Sequence, residues 1–194
     1  MPRMLIPIAK NAFQKYAVFF KVALEDVSDE CIQIGSESKI HLELKIDQQI
    51  SEHDQIIIKT RGTPFRCLII KIKNISNLNS NFNFISIKHW QELEIKNNIP
   101  AIYPESSGIF LPHELDLPKL NAVSFNKGCY TGQEIIARLH YRGKVKTTLQ
   151  CVSMELPSPP IRGQDIFPNT TVVDYCSLGY NQYELLNRDH YSGL

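Results

Sequence analysis

The stretch Ser124 to Glu134 reads SFNKGCYTGQE and sets a cysteine, a lysine, a tyrosine and two glycines between a short apolar run and a helix-forming segment. Thr131 and Glu134 have the spacing of a capping box. The threonine hydroxyl can accept from the amide three residues on, and the glutamate can reach back to the Thr131 amide. That pair predicts a helix from Thr131 through Ile135, Ile136, Leu139 and His140, ending at Gly143. Cys129 then lies just outside the helix N-terminus, where the positive end of the dipole and nearby Lys127 favour thiolate over thiol. Two readings stand for it. A lone cysteine is most often a small buried hydrophobe, whereas the glycines on either side argue for an exposed loop and a reactive sulfur.

Other chemistry-bearing residues are spread more thinly. Arg138, His140, Arg142, Lys144 and Lys146 form a local basic run, with Arg138 and Arg142 on one helix face. The run is either a solvated surface or a site for an anionic tail, a phosphate or RNA. Trp90 lies on an amphipathic stretch, as a core aromatic or as a platform for a flat ring. His41, His53, His89, His113 and His190 are dispersed, and His113-Glu114 suits the first turn of a helix; no His-x-x-x-His or His-Glu-x-x-His pattern occurs. The expectation is no catalytic metal. Cys31, Cys67, Cys129, Cys151 and Cys176 are odd in number and include no Cys-x-x-Cys, so neither a disulfide framework nor a four-thiolate zinc site is expected.

The elements that position these groups can be read from periodicity. Leu5 to Tyr16 has helical spacing with Pro7 near its first turn, where proline is tolerated. Val18 to Leu24 is β-rich. Cys31–Ile34, Ile40–Ile46, Gln55–Lys59 and Arg66–Ile72 are further strand candidates, several alternating as in a half-solvated antiparallel sheet. Ser76 to Asn83 reads as a loop and Lys88 to Asn97 as a short helix. Pro100, Pro104, Pro112 and Pro118 punctuate an irregular connection, a kind of segment that is often functional. Val145–Met154, Ile161–Phe167, Thr171–Tyr175 and Tyr183–Leu186 predict short strands, with turns at Pro157–Pro160 and Pro168-Asn169, a run that suits a small antiparallel barrel. Asn187 to Leu194 is polar and expected to fray.

The chain has 194 residues, 43% hydrophobic and 21% charged, so one large or two small domains can bury a core without staples. Such apolar content excludes disorder as the main state. With 21 basic and 20 acidic residues the net charge is +1, which excludes a globally basic nucleic-acid coat; a polyanion would have to be held by a local patch. No stretch has the length of a membrane span and no secretion signal is read, so a reducing cytoplasm is the expected location.

Lys127 to Glu134, KGCYTGQE, resembles the signature of the YgfZ family. Ile135-Ile136-Ala137-Arg138, Arg142-Gly143, Gly108-Ile109-Phe110-Leu111-Pro112-His113-Glu114, Val123-Ser124-Phe125 and Trp90 followed by Ile99-Pro100 also fit the family pattern. The likeness is strong from Trp90 to Met154 and weaker on both sides. An eight-residue signature with landmarks at matching offsets is far more specific than a lone glycine motif.

The resemblance implies an α+β fold: aminomethyltransferase (GcvT)-like folate-binding domains with a small C-terminal antiparallel β-barrel. It divides the chain into a partial folate-binding domain over 1–87, a motif-bearing segment over 88–143 and the barrel over 144–194. It implies tetrahydrofolate as cofactor and a role as an accessory factor in iron–sulfur cluster assembly or repair. The partners are then iron–sulfur proteins and their assembly machinery, including radical enzymes that modify tRNA, with tRNA itself an indirect partner and no membrane. Cys129 carries over as the critical thiol, in contact with cluster or sulfur or as a redox-sensitive group. Trp90 carries over to the folate pocket; Lys127, Gly128, Tyr130, Gly132, Gln133, Glu134 and, with the flanking pattern, Arg138 carry over as motif members. Family chains begin with a long N-terminal segment that contributes another folate-contacting aromatic and, in the transferases, an acidic residue. Here Met1 falls just before a stretch, Tyr16 to Val22, that resembles a later strand. The expectation is an N-terminally truncated chain, a misassigned start or a fragment that works with a partner. The rival expectations are a tetrahydrofolate-dependent aminomethyltransferase-like enzyme and a non-catalytic interaction module.

Overall fold

The computed structural model describes residues 2–37, 44–52, 55–72 and 82–190, without the side chain at 52. It is α+β and divides into two compact units, Met1–Asn97 and Asn98–Leu194.

The first unit opens with helix α1, Ile6–Phe20, with proline in its first turn as expected. The helix runs on through Val18, Phe19 and Phe20, where the sequence reading places a strand. Once a helix is nucleated each added residue gains a hydrogen bond, and a β-rich triplet that pairs with no strand among the described residues gains nothing by leaving. The helix stops at Lys21, left-handed at φ 53°, whose amide returns to the carbonyls of Ala17 and Val18. Strands β1 (Cys31–Ser36), β2 (Gln49–Glu52), β3 (Gln55–Lys59), β4 (Cys67–Ile72) and β5 (Phe84–Ile85) form one sheet in the order β2-β3-β4-β1-β5. Every described pairing in it is antiparallel. The expected strands at Cys31, Gln55 and Arg66 are therefore present within a residue or two. The expected strand Ile40–Ile46 falls largely outside the described residues, as does most of the loop Ser76–Asn83, together with His41 and His53.

Alternation explains the core of this unit. On β4, Cys67 and Ile69 are buried and their neighbours only half so, the period-two signature of a sheet packed on one face. Register then places Ile50, Ile57, Ile69 and Ile34 directly opposite one another across four strands. Ile57, Cys67, Ile69 and Phe82 form the buried cluster, with Ile34, Ile50 and Phe65 packed against it. Helix α2, Ile87–Lys96, follows β5; Ser86 caps it by accepting from the His89 amide at 3.1 Å. Its C-terminus is tied to the loop before β4. Asn97 accepts from the Thr63 amide at 2.8 Å and donates to the Thr63 carbonyl at 2.9 Å.

The second unit begins with the irregular connection anticipated from its prolines, built from turns and a short 3-10 segment, Pro104–Ser106. Helix α3, Gln133–Tyr141, leads into β6 (Thr147–Glu155), β7 (Asp165–Phe167), β8 (Thr170–Gly179) and β9 (Gln182–His190). These strands form an antiparallel sheet in the order β6-β9-β8-β7, a half-barrel with β6 and β7 at its edges. Val172, Tyr183 and Leu185 are its buried centre. Residues 187–190 do not fray as expected: Asn187 is buried and paired with Gln150, because the register of β6 continues to His190. The strand expected over Ile161–Phe167 shortens to its last residues, since Gly163 at φ 83° turns the chain first. There a Cβ would stand 2.4 Å from Ile109 Cδ1 and 3.1 Å from the Glu105 carbonyl oxygen. Gly163→Ala is expected to lose about 2–4 kcal/mol through left-handed strain and overpacking. Gly128→Ala, in open space, should stay within about 0.5 kcal/mol; urea unfolding of the two variants checks the contrast.

Arg162 beside this turn lies between two rings, 3.8 Å from the Tyr103 centroid and 4.3 Å from that of Tyr175. Its Nε donates to the buried Asp174 carboxylate at 2.7 Å. Burial raises the Asp174 carboxyl above its ordinary range, against the pull of Arg162. Among the described residues no helix is long and apolar enough to cross a membrane.

Candidate functional site

The KGCYTGQE segment lies in the second unit as a strap of turns leading into α3. Gly132 is the N-cap, left-handed at φ 83°, and no side chain caps the helix there. The expected capping box of Thr131 and Glu134 is thus not formed. The glycine reverses the backbone one residue later than the box requires, which takes Thr131 out of register. In its place Gln133, the first helical residue, reaches back so that its Oε1 accepts from the Tyr130 amide at 3.3 Å.

Cys129 is exposed and precedes the Gly132 N-cap by three residues. Of its two readings, the buried hydrophobe is set aside. Lys127 places its ammonium 4.7 Å from the Tyr130 ring centroid, a cation–π contact. A Cβ built on Gly128 or Gly132 meets nothing within 4 Å, so the strap faces open space on that side.

Helix α3 carries no buried residue. Glu134, Ala137, Arg138, Tyr141 and Arg142 line an open cavity of about 550 Å³ along one of its faces. The spacing of Glu134, Arg138 and Arg142 is that of successive helical turns. The structure therefore brings Glu134 and Arg138, both singled out in the sequence, to one concavity, with Arg142 and Tyr141 beside them.

The basic run does not act as one patch. Arg138 and Arg142 face the large cavity, whereas Lys144 and Lys146 line a smaller one. His140 stacks on Phe125 with centroids 3.8 Å apart and an interplanar angle of 18°. His113, buried at 7% exposure, completes this group at 6.1 Å from His140 and 6.3 Å from Phe125. Desolvation, helped by His140, lowers the His113 pKa below its ordinary value. The sequence reading did not bring this trio together, because its members are far apart in the chain.

Trp90 belongs to the first unit, on α2. It is half-buried and packs on β1 where Gly35 leaves room: a Cβ there would stand 2.5 Å from Trp90 Cε3. The Arg66 guanidinium lies 4.8 Å from the indole centroid. Arg66 is fully buried, pairs with Glu94 Oε1 at 2.6 Å and donates to the Arg61 carbonyl at 3.0 Å. Sequence reasoning gave Arg66 only as the start of a strand. Its tie to Trp90 and Glu94 depends on α2 lying beside the residue that precedes β4.

Among the described residues no group of three or more His, Cys, Asp or Glu side chains could hold a metal ion. No family model matches the chain. Among curated proteins the chain is similar to the tRNA-modifying protein YgfZ of Yersinia pestis strain Pestoides F, 29% identical over 184 residues. That match covers 84% of this chain and 54% of the relative. The tRNA-modifying protein YgfZ of Yersinia enterocolitica is 29% identical over 171 residues, 80% of this chain and 52% of its own length. The chain thus spans about half the length of the curated relatives it matches.

Proposed function

We propose that this chain, a homologue of proteins named tRNA-modifying protein YgfZ, is a folate-binding accessory factor. It supports iron–sulfur cluster assembly or repair and, through cluster-dependent enzymes, tRNA modification. The observation that carries this reading is the exposed thiol of Cys129 on an open, glycine-flanked strap that runs into α3. A sulfur in that position can be approached by a client protein, as a buried thiol cannot.

The residues on α3 fit the anionic end of a reduced folate. Arg138 and Arg142 present two guanidinium groups to one cavity, and guanidinium forks match carboxylates. In the first unit Arg66 and Gly35 fix the Trp90 ring, a second and separate candidate surface for a flat pterin. Lys127 and Tyr130 brace the strap by their mutual contact, and Gly128, Gly132, Gln133 and Glu134 shape its entry into the helix. Tetrahydrofolate, when bound, supplies one-carbon or reducing chemistry; the chain's own part is to hold it and to present the thiol.

The test has two arms. In a strain lacking the gene, the wild-type chain is expected to restore the activity of a cluster-dependent tRNA-modifying enzyme and Cys129→Ala to fail, with equal folded protein by circular dichroism. Full rescue by Cys129→Ala overturns the role of the thiol. In vitro, calorimetry with tetrahydrofolate is expected to show saturable binding, and Arg138→Ala with Arg142→Ala to weaken it about tenfold or more. A flat titration on folded protein favours a non-catalytic interaction module. That second reading has support in the Trp90 ring already having a guanidinium 4.8 Å away. Formation of methylene-tetrahydrofolate from an aminomethyl donor would instead restore the one-carbon enzyme.

A further inference from the structure

We propose that this chain pairs with a second copy of itself through helix α1, the two helices antiparallel, with Phe20 of each copy seated in the apolar groove beside Ala9 of the other. The pairing is independent of the folate reading and uses the first unit alone. Along α1, Ile6, Ala9, Phe13, Tyr16 and Phe20 recur at alternating intervals of three and four residues. That is the period of a helix seam that packs against another helix.

The fold leaves that seam open. From residue 11 to residue 20 every residue is exposed except Ala17. Phe13, Tyr16, Phe19 and Phe20 are between 46% and 82% exposed. An aromatic side chain has about 150–250 Å² to bury, so these four leave on the order of 500 Å² of aromatic surface in water. A standard interface takes about 800 Å² from each partner, so four side chains supply more than half of one. Apolar patches of that size mark interaction sites.

A groove in the N-terminal half of α1 selects the occupant. It has a volume of about 170 Å³ and is walled by Ile6, Ala9, Phe13 and Leu24, with Lys10 and Glu25 of opposite charge. An apolar cavity of about 150 Å³ holds a benzene ring, so a phenylalanine side chain matches this groove in size and polarity. Phe20 is such a side chain on the same seam, 76% exposed. It stands about 16 Å from Ala9 along the axis at about 1.5 Å per residue, too far to enter the groove of its own chain. A knob and a hole on one face are self-complementary when a two-fold axis relates the copies. With the helices antiparallel about Phe13, position 20 of each copy meets position 6 of the other, and the contact is made twice. Parallel helices would set Phe20 against Phe20 and leave both grooves empty.

Charge favours the same orientation. After Lys21 the chain returns beside α1: the Val22 amide donates to the Ala17 carbonyl at 3.1 Å, and Arg3 pairs with Asp29 at 2.7 Å. The return thus carries its carboxylates along the N-terminal half of the helix. Asp26, held below the ordinary carboxyl range chiefly by hydrogen bonds from Ser28, also feels Arg3 and Lys10. The C-terminal half of α1 carries Lys15 and the capping residue Lys21 and no carboxylate. Antiparallel packing sets these cations at the rim, beside Glu25 and Asp26 of the other copy. Such complementarity fixes orientation more than affinity.

Sedimentation equilibrium of the full chain is expected to show reversible pairing at micromolar concentration, the weak end for interfaces of standard size. Phe20→Lys removes the knob and Ala9→Glu spoils the hole. Each change acts twice in a two-fold dimer, so each should weaken pairing about a hundredfold or more. Phe20 is exposed and Ala9 partly so, and circular dichroism of both variants should match the wild type. An equimolar mixture of the two variants should recover a dimer. It holds one native contact and one in which the introduced lysine faces the introduced glutamate. A chain that stays monomeric up to about 100 μM overturns the proposal. So does pairing unchanged in Phe20→Lys, or a mixture that recovers nothing. Binding of a monomeric chain to vesicles of phosphatidylglycerol and phosphatidylcholine would make a lipid surface the occupant and overturn it as well.

Discussion

Arg66→Met should destabilise the first unit by about 3–5 kcal/mol, the cost of breaking a buried ion pair by removing one partner. Arg66 is fully enclosed, and its guanidinium joins Glu94, the Arg61 carbonyl and the Trp90 ring. Burial lowers its pKa and Glu94 opposes that shift. The carboxylate left behind would be only partly wetted, at 23% side-chain exposure. Glu94→Gln strands the cation in the same way and should cost a similar amount. Removing both, as Arg66→Met with Glu94→Leu, should recover much of the loss, because two apolar groups need no partner. The single tryptophan reports each unfolding curve directly, since Arg66 touches it. A loss under about 1 kcal/mol for Arg66→Met would show that the pair behaves as a surface bridge.

Alkylation should separate the cysteines by orders of magnitude. Cys129 is exposed, Cys67 and Cys176 are buried, and Cys31 and Cys151 are intermediate. Cys67 has 1% exposure and its thiol is pushed up by burial, Lys59 opposing; a higher pKa leaves less thiolate to react. Cys151 donates to Glu184 Oε1 at 3.2 Å. Reaction at Cys67 requires the sheet to open, so with ordinary domain stability iodoacetamide should label Cys129 at least about a thousandfold faster. Mass spectrometry of partly modified protein gives the order. Faster labelling of Cys67 than of Cys129 would remove the premise of the proposed thiol role.

Much of the fold is legible locally. Pro7 at the start of α1, the helical stretch Lys88 to Asn97 and the alternation of β4 each place an element within a few residues. Val18 to Phe20 misled, because β propensity is a weak preference that the surroundings readily override. Thr131 misled for a subtler reason. Its side chain has the right chemistry for a cap, but Gly132 can adopt the left-handed turn that makes it the cap instead.

By itself the chain's order of residues fixed where hydrogen-bonded elements run and where the KGCYTGQE strap lies, since helix and strand periods and glycine turns are properties of neighbouring residues. Only tertiary structure decided which charges are enclosed and which polar atoms are left over. Arg66 meets Glu94, and His113 meets Phe125 and His140, through packing between segments distant in the chain. The cost of burying a charge or an unpaired nitrogen depends on everything that surrounds it, and no stretch of sequence holds those surroundings.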